Sequence, residues 1–200
     1  MVNPAEVIIV GQGPNEACWR RELAFAERVG YGPDFAERCC ARLAVTGAVG
    51  RRLAWLMGVQ FPRPFINQFN RQNLNARWNG KNGKGDSFDA VEGCTAALKM
   101  MDEMRGKKVV LLGLAVAKCF GVVGEWLATA EHSGVNFLVL PHPSGINRWW
   151  NEGGNERAAM VALRAFCGLL DGRRCGACGQ PLLNEETTAC GACHATDADE

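Results

Sequence analysis

The residues best equipped for chemistry gather at a few places in the chain. His142 stands in Pro141-His142-Pro143-Ser144-Gly145-Ile146-Asn147-Arg148, directly after the apolar run 137–140. Each proline fixes its own φ and pushes the residue before it out of the helical region, so His142 is presented in an extended conformation at the carboxyl end of a strand. In open α/β sheets that is where ligands bind. Ser144 and Gly145 form a turn, and Ile146 is an apolar tip beside the cation Arg148. Such a pair suits a wedge entering a base stack while the cation meets phosphate. The plain alternative is a satisfied histidine in an ordinary turn. Gln12, Asn15 and Glu16 follow a second apolar run at 7–10, in Gly11-Gln12-Gly13-Pro14-Asn15-Glu16. A dinucleotide-type glycine turn fails there on spacing, because no third glycine follows at the required position and Pro14 interrupts.

Four cysteines carry a different chemistry. Cys175-Gly-Ala-Cys178 and Cys190-Gly-Ala-Cys193 are two knuckles of a zinc ribbon, with glycine after each first cysteine for the tight turn. Four thiolates make a closed tetrahedral structural site with one zinc and no open position for catalysis. The chain has 10 cysteines, and the others are scattered through apolar segments. That usage fits a reducing cytoplasm better than a disulfide framework. No run is long and apolar enough to span a membrane, and the first residues show no signal-peptide pattern.

The elements that must position these groups are legible from periodicity. Buried strands are expected over 7–10, 64–67, 109–112 and 137–140, the second delivering Asn67 at its carboxyl end. Residues 17–58 read as helical, with breaks around 30–33 and 46–50. A helix capped by Asp86 or Ser87 carries Phe88, Val91, Leu98, Met101 and Met104 inward. Another runs from about 115 to 130. Asn155 caps a last one to about 170, with Met160, Val161, Leu163, Phe166 and Leu169 inward. Strands alternating with helices call for an α/β fold, three layers α/β/α around a four-stranded parallel sheet, over residues 1–171. The zinc ribbon and an acidic tail follow over 172–200.

Net charge is only +1, but its distribution is uneven. Residues 51–85 hold Arg51, Arg52, Arg63, Arg71, Arg77, Lys81 and Lys84 and no Asp or Glu, and Trp55, Phe61, Phe65, Phe69 and Trp78 lie between them. Cations interleaved with aromatics suit a groove that tracks DNA, Arg and Lys on phosphates and rings on bases. A solvated basic face over core aromatics is the rival reading.

The Gly11-Gln12-Gly13-Pro14 turn, the asparagine after the second strand and the His142-Pro143-Ser144-Gly145-Ile146-Asn147-Arg148 loop, in this order, resemble the motifs of the uracil-DNA glycosylase superfamily. The resemblance covers residues 7–170 and implies that family's sheet and a monofunctional DNA glycosylase, which flips a base out and hydrolyses its N-glycosidic bond. It implies leaving-group stabilisation by His142, water positioning by the Gln12 turn, and base reading by Asn67, Gly13 and Val45. It further implies a grip on DNA by Ser144, Gly145, Ile146, Asn147 and Arg148, aided by Arg71, Arg77, Lys81 and Lys84.

The departures shape the substrate. Gln12 and Gly13 stand where related motifs carry an acid, leaving Asn15 or Glu16 to serve the water. Val45 stands where one branch has a phenylalanine that stacks on uracil. A cleared pocket favours a bulky modified pyrimidine, such as glucosylated hydroxymethylcytosine of phage DNA, with antiviral defence as one setting. Some branches hold a 4Fe–4S cluster. Cys94 sits near one ligand position, but the N-terminal cysteine pair is missing and Arg71 stands near another, so no cluster is expected. The expected partner is DNA, with no membrane and a monomeric chain. The rivals are a catalytically weakened DNA-binding protein, an ordinary uracil-repair glycosylase, and a hydrolase or binder of free modified nucleotides.

Overall fold

A run of β-branched residues without alternation must be covered on both faces, and β1 (Val7–Gly11) is buried along its whole length. The computed structural model describes residues 7–42, 47–83, 85–145 and 147–170. The expectations for Val45, Lys84, Ile146 and for Cys175, Cys178, Cys190 and Cys193 fall outside the described residues. Successive side chains of a strand point to opposite faces. Val7 and Ile9 accordingly enter one core, and Ile8 and Val10 the other. Strands β5 (Lys108–Leu112) and β7 (Val135–Leu140) divide the same way. Val110, Leu112, Leu138 and Leu140 join the first core, while Val109, Leu111, Phe137 and Val139 join the second.

Helices cover both faces. The first core receives Leu53, Leu56 and Met57 from α3 (Gly47–Met57), Phe65 from α4 (Arg63–Gln68), and Met160 and Leu163 from α7 (Asn155–Cys167). The second receives Ala97 and Met104 from α5 (Ala90–Met104), and Val116 and Ala117 from α6 (Leu114–Cys119). Helices α1 (Glu16–Arg28) and α2 (Pro33–Arg42) pack on each other, and α2 packs against the edge strand β2 (Asn70–Asn73). Each large apolar side chain buried this way contributes roughly 1.5–3 kcal/mol. Packing of that size holds a helix as short as α6, which propensity alone would not. The result is an α/β fold with helices on both faces of a central sheet, as a three-layer arrangement requires.

The sheet differs from expectation in one strand and one direction. It has five strands in the order β2-β1-β5-β7-β6. Four are parallel, and β6 (Thr129–His132) runs antiparallel to β7. The helix expected over 115–130 stops at Cys119, because Gly121 takes φ +70 and turns the chain. Ser133 at φ 52 and Gly134 at φ 76 then make the tight reversal that pairs β6 with β7.

The second strand is also displaced. Residues 64–67, expected as a strand, lie within α4. Phe61, Phe65 and Phe69 recur at helical spacing, and their rings meet at 6.1 and 5.5 Å. The true strand, β2, reads Asn-Arg-Gln-Asn and carries no apolar signal. A short antiparallel hairpin, β3 (Lys81–Asn82) with β4 (Gly85–Asp86), follows it. On α5 the cap is Asp89, whose Oδ1 accepts from the N–H groups of Val91 (2.9 Å) and Glu92 (3.0 Å). Val91 and Leu98, expected inward, are 80% and 73% exposed. Gly93 and Ala97 are the buried residues of that face, Gly93 lying hard against the Phe88 ring. Among the described residues no helix is long and apolar enough to cross a membrane.

Candidate active site

The carboxyl ends of all four parallel strands open into one cavity of about 670 Å³. Gly11 ends β1, Asn73 ends β2, Leu112 ends β5, and His142 follows β7; all four line it. The Gln12 turn and the His142 loop, 130 residues apart in sequence numbering, therefore share a wall, as the strand-end rule for such sheets demands.

His142 is fixed through its own backbone. Its carbonyl oxygen accepts from the Ser144 N–H at 2.8 Å, Asn147 Nδ2 at 3.2 Å and Trp150 Nε1 at 3.0 Å. Asn147 Oδ1 also accepts from the Trp149 N–H, capping a 3-10 turn over Arg148–Asn151. Pro141 and Pro143 on either side are buried. Burial pushes the His142 imidazole below its ordinary value, with the charge of Asp86 pulling the other way. A depressed value leaves an uncharged ring at neutral pH, which still donates a hydrogen bond through its one remaining N–H.

Gly113 lies between the two loops. Its φ of +102 is open to glycine, and a Cβ there would stand 3.6 Å from His142 Cβ and 3.7 Å from Gln12 Nε2. Gly13 comes close to Asn75, where a Cβ would meet the Asn75 Cβ at 3.2 Å. Asn75 ties three segments together. Its N–H donates to the Gln12 carbonyl at 2.7 Å, and its amide exchanges bonds with the Asp89 backbone at 2.9 and 3.0 Å.

The other expected site residues are distributed unevenly. Gln12, Gly13, Asn15, Arg77, Lys81, Ser144, Gly145 and Asn147 line the cavity with His142. Asn15 Oδ1 is engaged, accepting from the Cys18 N–H at 2.8 Å as the cap of α1. Glu16 is not among the lining residues; its carboxylate pairs with Arg20 at 2.9 Å and Lys81 at 3.7 Å. Arg148 is exposed on the loop.

Two placements differ from expectation. Asn67 is exposed on α4 and does not line the cavity, because the strand it was expected to end is a helix. Asn73 holds the strand-end position instead, its Nδ2 donating to the Cys40 carbonyl at 3.1 Å. Arg71, expected on a DNA-facing surface, is buried in β2, and desolvation lowers its pKa. Phe65 and Phe69, expected as stacking rings, are core residues, while Trp55 remains 52% exposed.

Sequence reasoning missed Asn73, Asn75 and Asp86. The signal for the asparagines was Asn70-Arg-Gln-Asn73-Leu-Asn75, polar residues massed at one strand end. Asp86 came from a hairpin too short to show periodicity. A thiol is present as well: Cys18 lines the cavity, and its pKa is lowered, chiefly by a hydrogen bond with Cys40. Among the described residues no group of three or more His, Cys, Asp or Glu could hold a metal ion.

Neutral amides, an uncharged imidazole, two cations and one carboxylate, Asp86, around one space suit a flat polar ligand with an anionic attachment. They also suit stabilisation of negative charge at a fixed point. Comparison of the chain with protein-family models finds no match, and comparison with curated proteins finds none either.

Proposed function

We propose that the protein is a monofunctional DNA glycosylase of the uracil-DNA glycosylase superfamily, with a C-terminal zinc ribbon at Cys175, Cys178, Cys190 and Cys193. The observation that carries this reading is the meeting of the Gln12 turn and the His142 loop in one cavity at the sheet's carboxyl edge. The target nucleotide leaves the stack and enters the cavity, where its polar edge is read by Asn73. As the N-glycosidic bond breaks, negative charge develops on the base. The His142 ring, neutral and backbone-fixed, donates to the base carbonyl and stabilises that charge. Arg77 and Lys81 at the rim, with Arg148 on the loop, meet the DNA backbone.

The substrate we propose is a pyrimidine with a bulky 5-substituent, such as glucosylated hydroxymethylcytosine. A cavity of about 670 Å³ has the size of sites that enclose drug-sized ligands, well beyond the need of a lone uracil. The test is incubation with identical duplexes carrying uracil, 5-hydroxymethylcytosine or its glucosylated form, scored for alkali-labile abasic sites. Removal of the glucosylated base ahead of uracil supports the reading. Removal of uracil alone returns the protein to ordinary uracil repair. Tight binding with no abasic sites on any duplex makes it a DNA-binding protein on a glycosylase-like fold.

A further inference from the structure

Hydrolysis of an N-glycosidic bond needs a group to take a proton from water and to face the positive charge that develops on the sugar. A carboxylate does both. The Gly11-Gln12-Gly13-Pro14 turn supplies none, since the Gln12 amide does not accept a proton at neutral pH. The carboxylates around the cavity are mostly committed elsewhere. Glu16 is bound to Arg20 and Lys81, and Glu37 to Arg77 at 3.4 Å. Asp89 caps α5, and Glu92 Oε1 accepts from the Ala76 N–H at 3.1 Å.

Asp86 is different. Among the described residues it is the carboxylate that lines the cavity. It sits on β4 directly across from Lys81, in the hairpin that forms the cavity rim. The hairpin is closed by the Ser87 N–H donating to the Gly80 carbonyl at 2.8 Å. Trp78 Nε1 donates to Asp86 Oδ1 at 2.9 Å, which orients the carboxylate. Among the described residues Oδ2 accepts no hydrogen bond, so one oxygen remains for water. Asp86 and His142 line the same cavity, and the Asp86 charge opposes the effect of burial on the imidazole.

We infer that Asp86 is the catalytic carboxylate, the base that activates the attacking water opposite His142. The inference rests on the glycosylase reading above. In the step, the water oxygen bonds to the sugar C1′ as the bond from C1′ to the base nitrogen breaks. The electron pair of that bond passes to the base and spreads onto the carbonyl oxygen held by His142. The water proton passes to the Asp86 carboxylate, and the departing base takes a proton from solvent.

The experiment is single-turnover excision from a duplex that the wild type cleaves, with DNA affinity measured in parallel. Asp86→Asn should slow excision by about 10²–10⁴-fold, the usual contribution of a general base, with affinity kept. Asp86→Ala should regain part of the rate on adding formate, which a merely structural role would not allow. Asp102→Asn, on the exposed outer surface of α5, should match the wild type. Melting curves check folding, and Asp86→Glu, which keeps the charge, should retain part of the rate if Asp86→Asn is destabilised. Asp86→Asn within a few-fold of wild type would overturn the inference while leaving the glycosylase reading intact. So would a loss of excision that follows a loss of affinity and is deaf to formate. A wild type that cleaves no duplex at all would overturn the glycosylase reading itself, and the role of Asp86 with it.

Discussion

Trp150 Nε1 donates a 3.0 Å hydrogen bond to the main-chain carbonyl of His142, so the residue that carries the imidazole is held from the floor of its own loop. The Trp150 ring is 8% exposed and belongs to the first core, with the Arg52 guanidinium 5.4 Å from its centroid. Core packing thus sets the position of the site.

Trp150→Phe keeps most of the buried ring and removes the donor. Loss of one such bond costs about 0.5–1.5 kcal/mol, more if the carbonyl is left dry. The expected outcome is a melting temperature lower by a few degrees and excision slowed roughly tenfold, since small misplacements of a reacting group are costly. Single-turnover rates beside a thermal melt check this. An unchanged rate would mean that Ser144 and Asn147 hold the loop without help.

Stability should depend on pH through His142. Its imidazole is depressed below the ordinary 6.5 by burial, with Asp86 opposing. Between that ordinary value and the lower native one, the unfolded chain binds the extra proton and the native chain does not. The contribution is therefore complete above pH 6.5 and is lost as pH falls through the native value. Melting from pH 7.5 to 5 should show a decline that is smaller in His142→Gln. Identical slopes in the two proteins would contradict it.

Much of the scaffold could be read from the sequence. The uniformly apolar runs of β1, β5 and β7 announced strands buried on both faces, and the break at Gly30 separated α1 from α2, whereas of the break expected over 46–50 the residues from Gly47 on are already helical in α3. What escaped had weak or shared signals. Strand β2 is polar because its buried side chains are Arg71 and Asn73, so the neighbouring Phe65 drew the assignment to the wrong residues. Strand β6 was hidden in a helix-like stretch because a two-residue turn at Ser133-Gly134 decides its fate. The site was legible where prolines and glycines punctuated it, at Gln12 and His142. It was illegible where tertiary pairing built it, at Asn73 and Asp86.

The cysteine pairs lead to a prediction that the spacing alone carries. The full chain, purified reduced, should hold one zinc through Cys175, Cys178, Cys190 and Cys193 and show no iron–sulfur absorbance. Elemental analysis checks it, with Cys190→Ser expected to lose the metal. Iron and sulfide in place of zinc would contradict it.

In the proposed glycosylase, His142 acts on the breaking bond and not on DNA binding. The most direct measurement is single-turnover base excision by wild type and His142→Ala on the duplex cleaved best, with affinity for that duplex taken alongside. Removing one preorganised donor costs about 10²–10³-fold in rate at comparable sites. Phosphate contacts act equally before and during the reaction. The expected outcome is a loss of that size with affinity unchanged. Equal excision by both proteins, or excision and affinity falling together, would contradict it.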